Sequence, residues 1–575
     1  MRTTTAALAG GRVGRGALLT LLRHFLKQFA SFESISPLGE PKRAVIAIVS
    51  LLAAPGYLMA VVTVRSAYGM ARANAAAFPP QLWLWAQEWH LLTVSLSAAA
   101  VLVAVQWRAF VLSGRDYRIL GVLPLERRVV TAAKLASVVV FVLLLHAGLN
   151  ALPGLILPVA SPLGYLRPAL ALQATLLLQT TFVCAAVVAA HGLLGLALPR
   201  ALVPRASSLL QFAILLGAAW LCVFQASLSR FAYSVRDSVL HPLNALLPVV
   251  WFRSLYVRLA GVASPQIDAQ ALQALVATAL ALAVALPCCL AGYRDSDGEA
   301  VARRRWRWPA AVRLPRTVRR WLPSRRPPAQ GVAVFVRRAA VESPGVALIA
   351  RAWLALGVAL VLSGLGALAL RHYGRDAPLL PSAPLHAPAI VLPFFALVGL
   401  RLAAAFPASL EANWIFRLTE TPRSADYAEG LRVAAMRTAV WPVLAALGPP
   451  YVVLWGPWLA LAQLVLAWAV ARLTIEWLFL GFSKVPFTCT YQPGKANLRV
   501  TWPKHAAIFI VYCGWLPALV SWLLARPLAY CVALLLLLGA REALVHAGER
   551  SLARAGQLLF DDTAPPFVTG LDLQA

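Results

Sequence analysis

ALALQATLLLQTTFVCAAVVAAHGLLGLAL, residues 169–198, runs thirty residues without a charged side chain between Arg167 and Arg200. A helix needs about 20 mostly apolar residues to cross the hydrocarbon core of a bilayer. This stretch is longer than that, and eleven others resemble it. On its own side of the chain they are 44–64, 82–106, 135–160, 208–227 and 271–291. Farther on they are 352–370, 387–406, 438–455, 458–479, 506–524 and 527–545. Gly456-Pro457 and Arg526 leave very short connections within the last two pairs, so each pair reads as a tight helical hairpin.

Composition agrees with a chain dissolved mainly in lipid. Of 575 residues 60% are apolar and 13% charged, and the mean hydropathy is +0.73. An ordinary globular protein carries about 25% charged residues. These values exclude a disordered chain, a collagen-like fibre and a disulfide scaffold. The formal charge of +30 could suggest nucleic acid. The charges lie between apolar runs, however, and so mark the cytoplasmic face of a membrane protein. With the N-terminus inside and every span crossing, inner segments hold 39 of the 52 Lys and Arg, counting Arg541 at the inner end of the last span, and outer segments hold ten. The other three, Arg351, Arg401 and Arg472, fall at or within spans. Both termini are therefore expected in the cytoplasm. Trp83, Trp85 and Trp89 then form an interfacial aromatic belt at the outer end of the second span.

The N-terminal segment lacks the compact apolar core and cleavage site of a signal peptide. Leu18, Leu22, Phe25, Leu26, Phe29 and Phe32 recur at helical spacing, with Arg23, His24, Lys27 and Gln28 opposite. That pattern predicts an amphipathic helix lying in the membrane surface; packing on protein is the alternative. The seven cysteines show no CxxC or Cys/His metal spacing and read as inert thiols. No cofactor, metal or catalytic residue is expected.

Residues 293–328 form the one long hydrophilic stretch, with RRRWRW (303–308) and SRRPP (324–328). Beside a membrane, such a segment reads as a cytoplasmic linker held on anionic headgroups rather than as a nucleic-acid site. It divides the chain into a first six-span half (1–292), the linker (293–330), a second six-span half (331–546) and a cytoplasmic tail (547–575). The halves look like distant repeats. Each opens with an amphipathic segment, LLRHFLKQFASF (21–32) or VFVRRAAVESP (334–344). Each carries a long charged loop after its second span, RDYRILGVLPLERRVVTAAK (115–134) or ANWIFRLTETPRSADYAEGLR (412–432). In both loops an aromatic residue, Tyr117 or Trp414, precedes a proline, Pro124 or Pro422, by seven or eight residues. The expected fold class is all-α: a polytopic membrane protein of about twelve helices in two pseudo-repeated halves.

This pattern resembles the membrane permease of ABC-2-type transporters, the exporter class that includes the G-type lipid pumps. In that family an elbow helix precedes the first span, and the loop between spans two and three carries a coupling helix that docks on the ATPase. The segment between spans five and six folds back into the outer leaflet. HPLNALLPVVWFRSLYVRLAG (241–261) is similar to that last element. The resemblance implies an exporter subunit in the inner (plasma) membrane, not itself an enzyme, driven by two copies of a separate ATPase. Arg115, Asp116, Arg118, Glu126, Arg127 and Arg128 would dock the first copy, and Arg423 and Asp426 the second. A solvated, headgroup-facing loop is the bland reading of the same charges. No G-x-x-x-x-G-K-[ST] occurs; the nearest string, CTYQPGKANL (489–498), lacks the first Gly and the hydroxyl.

Two rivals stand beside it. A major-facilitator-like secondary transporter also has twelve spans and a basic central loop, but usually joins spans two and three by a short loop. The membrane carboxylates it would use reduce to Glu476 and Glu542, both near inner ends. Glu476, one turn from Arg472, reads as half of a structural pair. A membrane-embedded enzyme would need converging acid, base or metal groups. His146, Asn150 and His191 are the deepest polar groups; they read as interhelical hydrogen bonders, with contact to substrate as the alternative.

Overall fold

A computed structural model describes residues 16–29, 56–62, 64–65, 80–112, 116, 119–120, 122–123, 125–199, 201–234, 246–291, 327–372, 381–406, 424–480, 482, 485–488 and 507–555. Among them about 91% are helical and none is in a strand. Among the described residues ten helices are long and apolar enough to cross a membrane. In lipid no water can satisfy a backbone N–H or C=O, so a spanning segment must close its own hydrogen bonds. The chain is thus an all-α polytopic membrane protein. It divides into two compact units, one on each side of residue 311.

The first unit holds α1 (16–29), α2 (Pro80–Phe110), α3 (Arg127–Ile156), α4 (Leu166–Ala197), α5 (Val203–Ser234), α6 (Pro248–Ala260) and α7 (Pro265–Ala291). The second holds α8 (Pro327–Glu342), α9 (Pro344–His372), α10 (Ala383–Ala403), α11 (Ser424–Ala435), α12 (Trp441–Leu478), α13 (Leu516–Leu524) and α14 (Pro527–Ala555). Six of these helices open on proline, whose fixed φ and missing N–H suit a first helical position. Two π-turns, Met436–Val440 and Val511–Trp515, lead into α12 and α13.

The expected spans recur with small changes of boundary; 82–106, for example, lies inside α2. Only the end of 44–64 falls among described residues, and there 56–62 is helical. A Cβ at Gly56 would come within 2.5 Å of the Leu149 carbonyl oxygen, so this piece packs tightly on α3. The expected spans 438–455 and 458–479 fall in one element, α12, interrupted at Gly456 with φ 79° and ψ 168°. That left-handed backbone favours glycine. The chain doubles back there: a Cβ on Gly448 would lie 3.7 Å from Leu464 Cδ1, although sixteen residues separate them. The Tyr451 hydroxyl and the Gln463 amide, one on each leg, donate to the adjacent Leu385 and His386 carbonyls.

The helix of the second expected span is central in each unit. In α2 67% of the apolar window is buried and in α10 61%, whereas in α14 none is. α2 packs on α4, α5 and α6, and α4 on α3 and α7. In the second unit α10 packs on α9, α12 and α13, and α12 on α14.

Candidate functional site

The charged loops are where the resemblance places coupling, and in both units the helix before the first span is seated on them. In the first unit Leu21, Phe25 and Phe29 follow each other at four-residue intervals and are all buried. Leu21 and Phe25 pack with Ala133 against Leu112, Leu120, Leu125 and Val129. Phe29 stacks on Phe141 and meets Phe110 edge-on. One edge of α1, Leu21, Phe25 and Phe29, is therefore covered by protein, while Leu18, Leu22 and Leu26 are half-buried.

Gln28, expected on the outer face of α1, turns inward and joins the loop to α3. Its amide nitrogen donates to Asp116 Oδ1 at 2.7 Å, and its amide oxygen accepts from Lys134 Nζ at 3.1 Å. One side chain thus links a carboxylate to an ammonium. Lys134 also stands 4.5 Å above the Phe25 ring, a favourable cation–π contact. Asp116 is only 7% exposed and ties the loop to α1. Glu126 and Arg128 are exposed, beside exposed Ile119, Val122 and Leu123. Arg115, Arg118 and the Arg127 side chain lie outside the described residues.

In the second unit α8 is seated on α11 by close backbone approach. Ala329, Ala333 and Val336 make its buried stripe. A Cβ at Gly430 would come within 2.6 Å of both the Ala329 carbonyl oxygen and Val332 Cβ. Tyr427 packs with Val332 and Val485. Asp426, in the first turn of α11, is 6% exposed. Like Asp116 it is buried within its own unit. Arg423 lies outside the described residues, as does the linker through residue 326.

Two residues past Gly430, Arg432 opens a cluster of charges. Arg432 Nε is 2.7 Å from Glu476 Oε2, and Arg541 Nη2 of α14 is 3.7 Å from Glu476 Oε1. Glu476 is 3% exposed. It therefore joins three helices, and its ion-pair partners are Arg432 and Arg541 rather than the sequence neighbour Arg472. Arg541 also pairs with Glu542.

At the opposite end of the first unit the sequence reading missed Glu88. It sits inside the expected span 82–106 and is 3% exposed. Arg253 of α6 pairs with it at 2.9 Å and lies 3.7 Å from the Trp85 ring centroid. Arg258 pairs with Asp268, Arg167 donates to the Leu259 carbonyl, and Ser254 donates to Gln270. α6 is thus fastened to α2, α4 and α7. The signal was available: Glu88 between Trp85 and Trp89, and an Arg in the Trp-Phe-Arg string of the expected fold-back segment.

His146, Asn150 and His191 do not converge. Asn150 is fully buried and donates to Thr180 of α4, with His146 within 3.4 Å. That pairing sets His191 about two turns, or ~10 Å, from His146 along the axis. The His191 ring bonds the Val187 carbonyl and stacks on Trp107. Asn150–Thr180 and His191–Trp107 are contacts between helices, whereas His146–Asn150 and His191–Val187 lie within one helix. No family model, curated protein or solved structure matches the chain.

Proposed function

We propose that the chain is the permease of an ABC-type exporter, with two six-span halves fused in one polypeptide. Both termini and the basic linker lie in the cytoplasm, the membrane is the inner (plasma) membrane, and two copies of a separate subunit supply ATP hydrolysis. The observation that carries the reading is the seating of a pre-span helix on the second-to-third-span loop in each unit. A permease without a motor needs a stiff element to pass force from its partner to its spans. A loop fastened to a surface helix and to the next span is such an element.

Twelve spans follow from the ten candidate helices when the Gly456 turn is taken as a reversal and 44–64 as the first crossing. The repeat is supported by equivalent contacts. Gln179 of α4 donates to the Leu92 carbonyl of α2, and Gln463 of α12 donates to the His386 carbonyl of α10. Both glutamines are fully buried. The partner-facing surface of the first loop is Val122, Leu123, Glu126 and Arg128, an exposed apolar tip flanked by both signs of charge. Glu88 does not strengthen the secondary-transporter reading, because its charge is taken up by Arg253.

The test is enzymatic and topological. The purified chain alone should neither hydrolyse ATP nor be photolabelled by an azido-ATP; robust hydrolysis would sink the reading. Cysteines placed at Arg304 and Asp561 should be shielded from impermeant thiol reagents in intact cells, and one at Gln266 labelled.

A further inference from the structure

The Glu476 cluster holds more positive charge than its carboxylates balance. Arg472 lies within electrostatic reach of Arg432, Arg541, Glu476 and Glu542, which makes three guanidinium groups against two carboxylates. Glu476 is already shared between two of the three. The cluster borders a bare helix: no residue in the apolar window of α14, which supplies Arg541, is fully buried by protein. The Arg432 and Arg541 side chains keep about a fifth of their surface exposed, at 21% and 23%. Arg541 lies ten residues before the end of its candidate span at Ser551, and Glu476 two before the end of α12. Long arginine side chains at that depth reach the headgroup level.

An excess cation beside hydrocarbon is costly unless an anion answers it. The anion present at that depth in every biological membrane is a lipid phosphate. Guanidinium forks match phosphate oxygens two at a time, and basic pockets between spans are sites for anionic headgroups. We propose that Arg432, Arg472 and Arg541 bind the phosphate of an anionic phospholipid, seated between α11, α12 and α14. The proposal does not depend on the transport reading.

The experiment is native mass spectrometry of the full chain in neutral detergent, titrated with phosphatidylglycerol or phosphatidylcholine. The parent should retain phosphatidylglycerol at least about fivefold over phosphatidylcholine. Arg472→Gln should remove most of that excess, and Arg472→Lys, which keeps charge and loses the fork, only part of it. Arg472→Gln leaves the direct partners of Glu476 in place, and its thermal melt should match the parent's. Arg167→Gln, at the far end of the first unit, should bind as the parent does. Equal retention of the two lipids, or an Arg472→Gln protein that binds as the parent does, overturns the proposal. Displacement of phosphatidylglycerol by millimolar inorganic phosphate also overturns it, by reassigning the cluster to the free anion.

Discussion

The two pre-span helices do the same job with different chemistry. α1 is fastened by one amide between Asp116 and Lys134, with a cation over an aromatic ring. α8 is fastened by shape, where the missing side chain of Gly430 lets two backbones meet, and the charges around Glu476 belong to α11, α12 and α14. A polar seat tolerates changes of volume and fails when a partner is removed. A close-packed seat tolerates changes of charge and fails when an atom is added. The two halves should therefore respond oppositely to the same kind of substitution.

The largest effect is expected at Glu476. Removing one partner of a buried ion pair leaves uncompensated charge, at about 3–5 kcal/mol. Glu476→Ala should lower the midpoint of unfolding in detergent more than any other change named here, and should loosen α14. Gly430→Leu comes next. Overpacking costs typically about 1–3 kcal/mol, and proteolysis should release α8 while α1 stays protected. An unchanged protease pattern would break the contrast between the seats. In the first unit Gln28→Ala removes two hydrogen bonds that are only part-buried, so water replaces much of each and the total should stay near about 0.5–1.5 kcal/mol. Gln28→Glu should be worse for Asp116 than Gln28→Ala, because it sets two carboxylates together; amide exchange in α1 reads this out. The smallest stability effect belongs to Arg128→Glu, within about 0.5 kcal/mol as an exposed change. Its expected consequence is loss of the ATPase partner on pull-down from a correctly inserted permease. Normal capture by Arg128→Glu together with Val122→Ser would leave the first loop a solvated connection.

The spans were legible because hydrocarbon imposes a length and a polarity that a single segment carries alone. The uncharged run 169–198 needed no other part of the chain to be read. Burial of particular charges was not legible, since it depends on partners far away in sequence. Asp116 looks like a surface residue until Gln28, 88 positions earlier, is brought against it. Asp426 looks the same until α11 is folded on α8. Glu88 was legible as a carboxylate inside the span 82–106, but its neutralisation was not, because Arg253 belongs to another helix. Glu476 was read as structural correctly, but with the wrong neighbour, because one helical turn is a weaker guide than the contact between α11, α12 and α14. The hairpin at Gly456 was marked by the Gly-Pro pair itself.

Span length differs between the units and bears on the membrane that surrounds them. In the first unit four candidate spans run 28, 33, 32 and 31 residues, whereas Ala383–Ala403 in the second has 21. At 1.5 Å per residue the short helix measures about 31 Å, and the longest of the four about 50 Å. A bilayer about 30 Å thick in its hydrocarbon core thus meets surplus length on those four and almost none on Ala383–Ala403. The long helices answer by tilting or by projecting past the headgroups. Acyl-chain length is therefore a variable to which Ala383–Ala403 is the more sensitive, and longer-chain lipids should strain it first.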